Sequence, residues 1–144
     1  LCFSLMPNHF HILLKQLVDN GISKCVGNFI NSYTRYFNTR HERNGHLFQG
    51  QFKAVRIETD EQLMHVSRYI HLNPYSSYVL KDIRDLETYP WTSFSEYMGK
   101  TLKNVCNTGI VLSHFSSTNK YREFVFDQAD YQRRLEDIKH LLIE

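Results

Sequence analysis

The stretch that decides the fold is residues 1–15, LCFSLMPNHFHILLK. Two apolar runs flank Pro7 and Asn8, which are residue types that favour tight turns. Apolar runs on either side of such a turn are typical of a β-hairpin. The sequence therefore predicts one strand over residues 1–5 and a second over residues 9–15, joined at this turn.

The spacing of apolar residues predicts further elements along the chain. Apolar side chains recur at three- and four-residue steps over residues 22–40 and again over 131–143, which is the period of an amphipathic helix. Residues 54–58 alternate apolar and charged side chains, a pattern that predicts a short strand. We also expect a short helix over residues 93–98 and loops over residues 100–119.

Residues 59–62, Thr-Asp-Glu-Gln, predict the start of another helix. A capping threonine stands three positions before a glutamine, and two acids follow in the first turn. Pro74 disfavours helical angles in the residue before it, so we expect this helix to end near Leu72. Asn73 would then stand at the helix end.

Length and composition indicate one folded domain. The 144 residues include 42% hydrophobic and 22% charged side chains, which is enough apolar material for one core and too little charge for a disordered chain. No apolar run approaches the roughly 20 residues of a membrane span, so no membrane partner is expected. Three widely spaced cysteines argue against a disulfide framework and favour a reducing, intracellular compartment.

Charge is distributed unevenly along the chain. Residues 1–56 contain seven Lys and Arg against two Asp and Glu, a net charge of +5, whereas the remainder carries a net charge of −3. A polyanion would therefore be expected to meet the N-terminal part. The candidates for phosphate contact or base stacking are Arg35, Arg40, Arg43, Phe48, Lys53, Arg56 and Arg68. The alternative is that the arginines form a solvated helix face and that Phe48 closes the core.

His9 and His11 are the sharpest candidates for chemistry. Alternate residues of a strand face the same side about 7 Å apart, so two imidazoles can converge on one ion. Tyr69 and Asn73 stand one helical turn apart, so a phenolic hydroxyl and an amide oxygen can be offered to one point. The alternatives are an ordinary histidine pair, an aromatic at the core edge and a helix-capping asparagine.

Three ordered motifs resemble the signatures of the single-tyrosine HUH transposases, also described as the transposase IS200-like domain. They are residues 5–14 (LMPNHFHILL), 45–54 (GHLFQGQFKA) and 67–74 (SRYIHLNP). Residues 89–94 (YPWTSF) resemble a downstream segment of the REP-associated tyrosine transposases, the branch that the chain resembles most. The resemblance covers residues 1–99, while residues 100–144 match only loosely.

The resemblance implies a nickase that cleaves and rejoins single-stranded DNA, presented beside a hairpin. It assigns Tyr69 as the nucleophile, which forms a 5′-phosphotyrosine and releases a 3′-OH. It assigns His9, His11 and Asn73 as ligands of Mg²⁺ or Mn²⁺. It further implies a bacterial, cytoplasmic, nucleoid-associated protein that acts as a monomer or as a homodimer.

The fold implied by this resemblance is of the α+β class. It is a ferredoxin-like antiparallel sheet with helices on one face, and this chain would lack the first strand and the first helix of that fold. Residues 1–99 would form the transposase domain. Residues 100–144 would form a variable C-terminal tail that ends in a helix.

Two other functions are compatible with parts of the pattern. A catalytically silent single-stranded nucleic-acid-binding domain of the same fold is favoured if Tyr69 is buried or if the two histidines point apart. A small His-x-His phosphoesterase is the other alternative. The histidine-triad hydrolases need a histidine where Leu13 stands, and barrel amidohydrolases need about 250 residues, so neither version fits this chain.

Overall fold

A computed structural model describes residues 1–143 of the chain, with side-chain surroundings for residues 1–138. Contacts divide the described residues into two compact units. We call residues 1–13 together with 57–143 the hairpin unit, and residues 14–56 the basic unit. All four residues proposed for catalysis and metal binding belong to the hairpin unit.

The hairpin unit begins with the predicted β-hairpin. Strand β1 (Cys2–Leu5) pairs antiparallel with strand β2 (Phe10–Leu13). Across the turn, the Met6 N–H donates to the His9 carbonyl at 2.8 Å. The prediction of a hairpin closed at Pro7 and Asn8 is confirmed, with a second strand shorter than the apolar run suggested.

The other edge of β1 binds the segment around Thr92. The Leu5 N–H donates to the Trp91 carbonyl at 2.7 Å, and the Ser93 N–H donates to the Phe3 carbonyl at 3.0 Å. These bonds satisfy backbone groups that an open strand edge would expose. Both edges of β1 are therefore occupied, although its second partner is only a bridge.

Helix α2 (Asp60–Ser76) begins as the sequence predicts. The Thr59 hydroxyl accepts from the Gln62 N–H at 3.2 Å, which satisfies one of the unpaired donors of the first turn. The Gln62 side chain reaches back and accepts from the Glu58 N–H at 2.9 Å. The two bonds form a capping box that extends one residue further back than the standard form.

The predicted end of α2 near Leu72 is wrong, because the helix continues through Pro74 to Ser76. Proline has no N–H, so the helix lacks one internal hydrogen bond at this point. All residues from 70 to 76 are buried, and their packing outweighs that missing bond. Tertiary contacts therefore override the local preference of the proline.

A 3-10 helix (Ile83–Glu87) and four α-helices follow in the described part of the hairpin unit. They are α3 (Phe94–Tyr97), α4 (Gly109–Leu112), α5 (Thr118–Phe126) and α6 (Ala129–Ile143). Helices α3 and α6 confirm the predictions over residues 93–98 and 131–143. The expectation of loops throughout 100–119 is wrong for α4, where Val111 is fully buried and holds one apolar turn in the core, and for the first two residues of α5.

The core of the hairpin unit contains residues from the strands and from the helices that follow them in the sequence. Its fully buried apolar side chains include Leu72, Leu86, Phe94, Tyr97, Val111, Tyr121 and Val125. The last three lie in the region expected to form a variable tail, and they pack in the same cluster as the residues of α2. The domain boundary at residue 99 stays a prediction.

The basic unit contains helix α1 (Gly21–Arg40), which confirms the helix predicted over residues 22–40. The strand predicted over residues 54–58 is wrong, because the structure places no regular element there. Val55 is 89% exposed, so the alternation of apolar and charged residues does not define a buried face. A strand also needs a neighbour for its backbone groups, and the described sheet consists of β1 and β2.

The expected α+β class is confirmed. A two-stranded antiparallel sheet combined with several helices is consistent with a shortened ferredoxin-like fold. Among the described residues, no helix is both long and apolar enough to span a bilayer.

Candidate functional site

Two histidines stand close together at the hairpin. His11 lies in β2 opposite Ser4 and is half-buried, whereas His9 precedes the strand and is exposed. Their ring centroids are 5.1 Å apart, and the rings meet edge to face at 83°. This spacing agrees with the rule that alternate residues of a strand share a face. The two imidazoles therefore lie close enough to contact the same ligand.

Asn8 determines the tautomer of His9. The Asn8 Oδ1 lies 2.7 Å from the His9 Nδ1. An amide oxygen can only accept, so we assign the ring proton to Nδ1 and the lone pair to Nε2. Histidine ligands of metals commonly donate their second ring N–H to a neighbouring oxygen in this way. The Asn8 side chain thus leaves Nε2 as the ring nitrogen of His9 that can face a ligand.

Tyr69 lies on α2 next to the histidine pair. Its ring centroid is 5.5 Å from that of His11, with the planes at 76°. Edge-to-face packing of this kind fixes the orientation of an aromatic ring. Tyr69 is half-buried rather than sealed in the core. The structure therefore brings together three of the four residues predicted for the site, namely His9, His11 and Tyr69.

Asn73 lies one helical turn beyond Tyr69 and is only 2% exposed. Its Oδ1 accepts a hydrogen bond from the Ser77 Oγ at 3.4 Å, and its backbone carbonyl accepts from the Ser77 N–H at 3.0 Å. An amide oxygen has two lone pairs, so the single long bond to Ser77 leaves it able to accept once more. The role of Asn73 as a metal ligand stays a prediction.

The histidine pair by itself supplies two of the ligands that a metal ion would need. Across the described residues, no group of three or more His, Cys, Asp and Glu side chains is arranged to hold a metal. A third protein ligand beside the two imidazoles would therefore have to be another kind of group, and an amide oxygen such as that of Asn73 is one. Imidazole and amide ligands suit manganese and other first-row divalent ions.

His71 forms a buried polar network that the sequence did not reveal. It is fully buried, and each ring nitrogen meets a hydroxyl at 2.8 Å: Nδ1 that of Tyr121 and Nε2 that of Ser93. Tyr121 also donates to the Ser67 Oγ at 3.1 Å. One proton arrangement satisfies these contacts, in which Ser93 donates to Nε2 and Nδ1–H donates to Tyr121.

This network fastens α2 to the segment on the edge of β1. Ser93 Oγ accepts from the Phe3 N–H at 2.9 Å, so His71 connects to the backbone of β1 through one side chain. Burial lowers the pKa of His71 from 6.5 to about 3, which keeps its ring neutral. The only signal in the sequence was a histidine between Ile70 and Leu72, two residues of the buried helix face.

Six of the seven residues predicted to contact DNA lie in the basic unit. They are Arg35, Arg40, Arg43, Phe48, Lys53 and Arg56. Arg43 donates to the His46 carbonyl at 3.2 Å, and Phe48 lies 6.2 Å from the Tyr33 ring. Residues 1–13 contain no Asp, Glu, Lys or Arg, so the whole net charge of +5 belongs to this unit.

The seventh residue, Arg68, lies on α2 in the hairpin unit. Its guanidinium lies 4.3 Å from the Phe124 ring centre, and Nη1 donates to the Phe124 carbonyl at 3.4 Å. Burial lowers the pKa of Arg68 from its usual value. These contacts connect α2 to α5, and a DNA contact by Arg68 stays a prediction.

Fold and site define an α+β protein in which a His-His-Tyr cluster accompanies a strongly basic unit. The family described as "Transposase IS200 like" matches residues 1–73, just over half of the 144 residues. The chain therefore belongs to the IS200-like transposase family, whose members act on DNA. A search of curated proteins and a search of solved structures found no match.

Proposed function

We propose that this transposase is a metal-dependent nickase and strand transferase of single-stranded DNA, with Tyr69 as its nucleophile. The proposal rests on the position of the Tyr69 ring, 5.5 Å from His11, whose own ring lies 5.1 Å from His9. The motifs that contain these residues favour the REP-associated branch of the family.

The Tyr69 hydroxyl attacks the phosphorus of one phosphodiester. A bond forms between the phenolic oxygen and phosphorus, and the bond from phosphorus to the 3′ oxygen breaks. The phenol loses its proton and the leaving 3′ oxygen gains one. The product is a 5′-phosphotyrosine and a 3′-OH, and it keeps the energy of the phosphodiester, so another 3′-OH can reverse the step.

His9 and His11, with the Asn73 amide as third ligand, would hold Mg²⁺ or Mn²⁺. Such an ion would offset the charge of the non-bridging phosphate oxygens and would help to orient the phosphate for in-line attack. The two imidazole nitrogens are softer ligands than the oxygen ligands that magnesium prefers, which favours manganese over magnesium. Asn8 contributes by holding the His9 ring in the tautomer that presents Nε2.

The substrate we propose is single-stranded DNA beside a hairpin. A tyrosine needs open access to one phosphate, which a single strand offers more readily than a duplex. The basic unit supplies Arg35 and Arg40 on α1 for phosphate contacts. Phe48 offers an aromatic ring for base stacking, as proteins that bind single strands commonly do.

Two observations support the catalytic function over the silent nucleic-acid-binding alternative. Silent binding is favoured by a buried Tyr69 or by histidines that point apart. Tyr69 is half-buried, and the two imidazoles are neighbours. We therefore retain catalysis as the proposed function.

The decisive experiment is a test for a covalent adduct. The protein is incubated with Mn²⁺ and labelled single-stranded oligonucleotides that carry a hairpin flanked by randomised sequence. We expect a protein–DNA adduct that survives a denaturing gel. The variant Tyr69→Phe loses the adduct but retains DNA binding and fold, because it removes one oxygen atom from a packed ring.

Tyr78→Phe is the matched control. The Tyr78 hydroxyl donates to the Asp137 carboxylate at 2.9 Å, and that bond raises the pKa of Tyr78, which makes it a poorer nucleophile. The control variant should form the adduct as the wild type does. An adduct that persists in Tyr69→Phe would place the nucleophile on another residue and refute the proposed assignment.

A further inference from the structure

Helix α6 binds the part of α2 that carries the candidate nucleophile. Gln132 of α6 is only 8% exposed. Its Nε2 donates to the backbone carbonyl of Tyr69 at 3.1 Å and to the Ser76 Oγ at 3.2 Å. One side-chain amide therefore connects two points of α2 that lie about two turns apart.

The next residue of α6 binds just beyond. The Arg133 Nη2 donates to the carbonyls of Tyr75 and Leu80, both at 2.8 Å. Its guanidinium lies 3.4 Å from the centre of the Tyr75 ring and 4.5 Å from that of Tyr78. Cation–π contacts of this kind add to the hydrogen bonds. The end of α2 is thus held by two adjacent residues of α6.

This reinforcement coincides with the weakest point of α2. Pro74 removes one internal hydrogen bond, and its ring crowds the carbonyl four residues earlier. A helix interrupted in this way bends or frays unless other groups support it. Gln132 binds on both sides of the proline, at Tyr69 and at Ser76, so it spans the interruption.

We propose that Gln132 is a positioning residue: it fixes the turn of α2 that bears Tyr69 and so sets the place of the Tyr69 ring relative to His11. The C-terminal helix is then part of the machinery that aligns the nucleophile. The consequence for catalysis rests on the proposed function, whereas the effect on α2 does not.

The first test measures amide hydrogen exchange of α2. Gln132→Met keeps the length of the side chain but removes its donor group. We expect exchange of the amides in residues 69–77 to become about tenfold faster, as befits the loss of a buried hydrogen bond, while exchange in β1 stays unchanged. Tyr131→Ala, at a position that is 55% exposed on the same helix, is the control and should exchange like the wild type.

Ser76→Ala provides a milder version of this test, because it removes only one acceptor of Gln132. It should accelerate exchange in the same segment by a smaller factor. If Gln132→Met fails to fold, Ser76→Ala alone decides the question. If the amides of residues 69–77 exchange in either folded variant as slowly as they do in the wild type, the inference is overturned.

The second test uses the adduct assay. In Gln132→Met, the rate constant for adduct formation at saturating DNA should fall about tenfold, and the half-saturating DNA concentration should stay the same, because the basic unit is unaltered. If the wild type forms the adduct and Gln132→Met forms it with the same rate constant, the positioning role is overturned and the proposed function stays intact. Failure of the wild type to form any adduct refutes the proposed function, and hydrogen exchange still tests Gln132.

Discussion

The proton on His9 determines what this residue can bind. Asn8 accepts from the Nδ1–H at 2.7 Å, so Nε2 is the ring nitrogen left to face a ligand. Without Asn8 the ring could adopt either tautomer and rotate more widely. A short polar residue in the turn therefore orients the ring of its neighbour, an interaction that depends on two consecutive positions.

Replacing both histidines tests the metal site directly. His9→Ala combined with His11→Ala should abolish Mn²⁺ binding in titration calorimetry, because it removes two of the three proposed protein ligands. Adduct formation should disappear with it. His114→Ala, at an exposed position of the hairpin unit, is the control and should bind Mn²⁺ like the wild type. Unchanged manganese affinity in the double variant would contradict the metal site.

At the scale of elements, His71 makes the packing of α2 sensitive to pH. Its pKa is about 3 in the folded protein and about 6.5 when the chain is unfolded. Below pH 6.5 the unfolded chain therefore takes up a proton that the folded protein does not. The contribution of the neutral His71 ring to the free energy of unfolding is fully present above pH 6.5. It is lost as the pH falls towards 3, by up to about 1.4 kcal/mol per pH unit.

Denaturant unfolding at two pH values measures this effect. Between pH 7 and pH 5, the wild type should lose about 2 kcal/mol more free energy of unfolding than His71→Gln, which has no ring to protonate. His46→Gln, the control, changes an exposed histidine. Between pH 7 and pH 5 it should lose as much free energy of unfolding as the wild type. Equal losses in the wild type and His71→Gln would show that His71 does not couple folding to pH.

Elements set by neighbouring residues were predictable, and those set by distant ones were not. The hairpin and the start of α2 follow from turn and capping residues a few positions apart. The end of α2 depends on burial around Pro74, and residues 54–58 show strand alternation without a strand partner in the described sheet. Local patterns report local preferences, which tertiary packing can override.

In the candidate site, too, some residues could be predicted from local sequence patterns and others could not. The strand period of two residues predicts that His9 and His11 share a face, and motif order points to Tyr69. Nothing in the sequence joins Gln132 to Tyr69, because the two residues are 63 positions apart and meet only in the folded chain. The supporting contacts of a site are therefore harder to predict than its reactive groups.

At the scale of the whole molecule, the candidate catalytic residues and the excess positive charge belong to different units. The His-His-Tyr cluster lies in the hairpin unit, whose net charge is −2, while the basic unit has a net charge of +5. Phosphate contacts supply most of the affinity of proteins for nucleic acids independently of sequence. We therefore expect variants of the two units to have different effects. Variants in the hairpin unit should lose cleavage, and variants in the basic unit should lose DNA affinity.

The salt dependence of DNA binding tests this separation. Each phosphate contact on a single strand contributes about 0.7 to the slope of log affinity against log salt concentration. Arg35→Gln combined with Arg40→Gln should lower that slope by about 1.4, because both arginines are exposed on α1. Lys103→Gln removes one exposed charge from the hairpin unit and should leave the slope at its wild-type value. If instead Lys103→Gln lowers the slope and the arginine pair does not, the hairpin unit provides the phosphate contacts and the basic unit has another role.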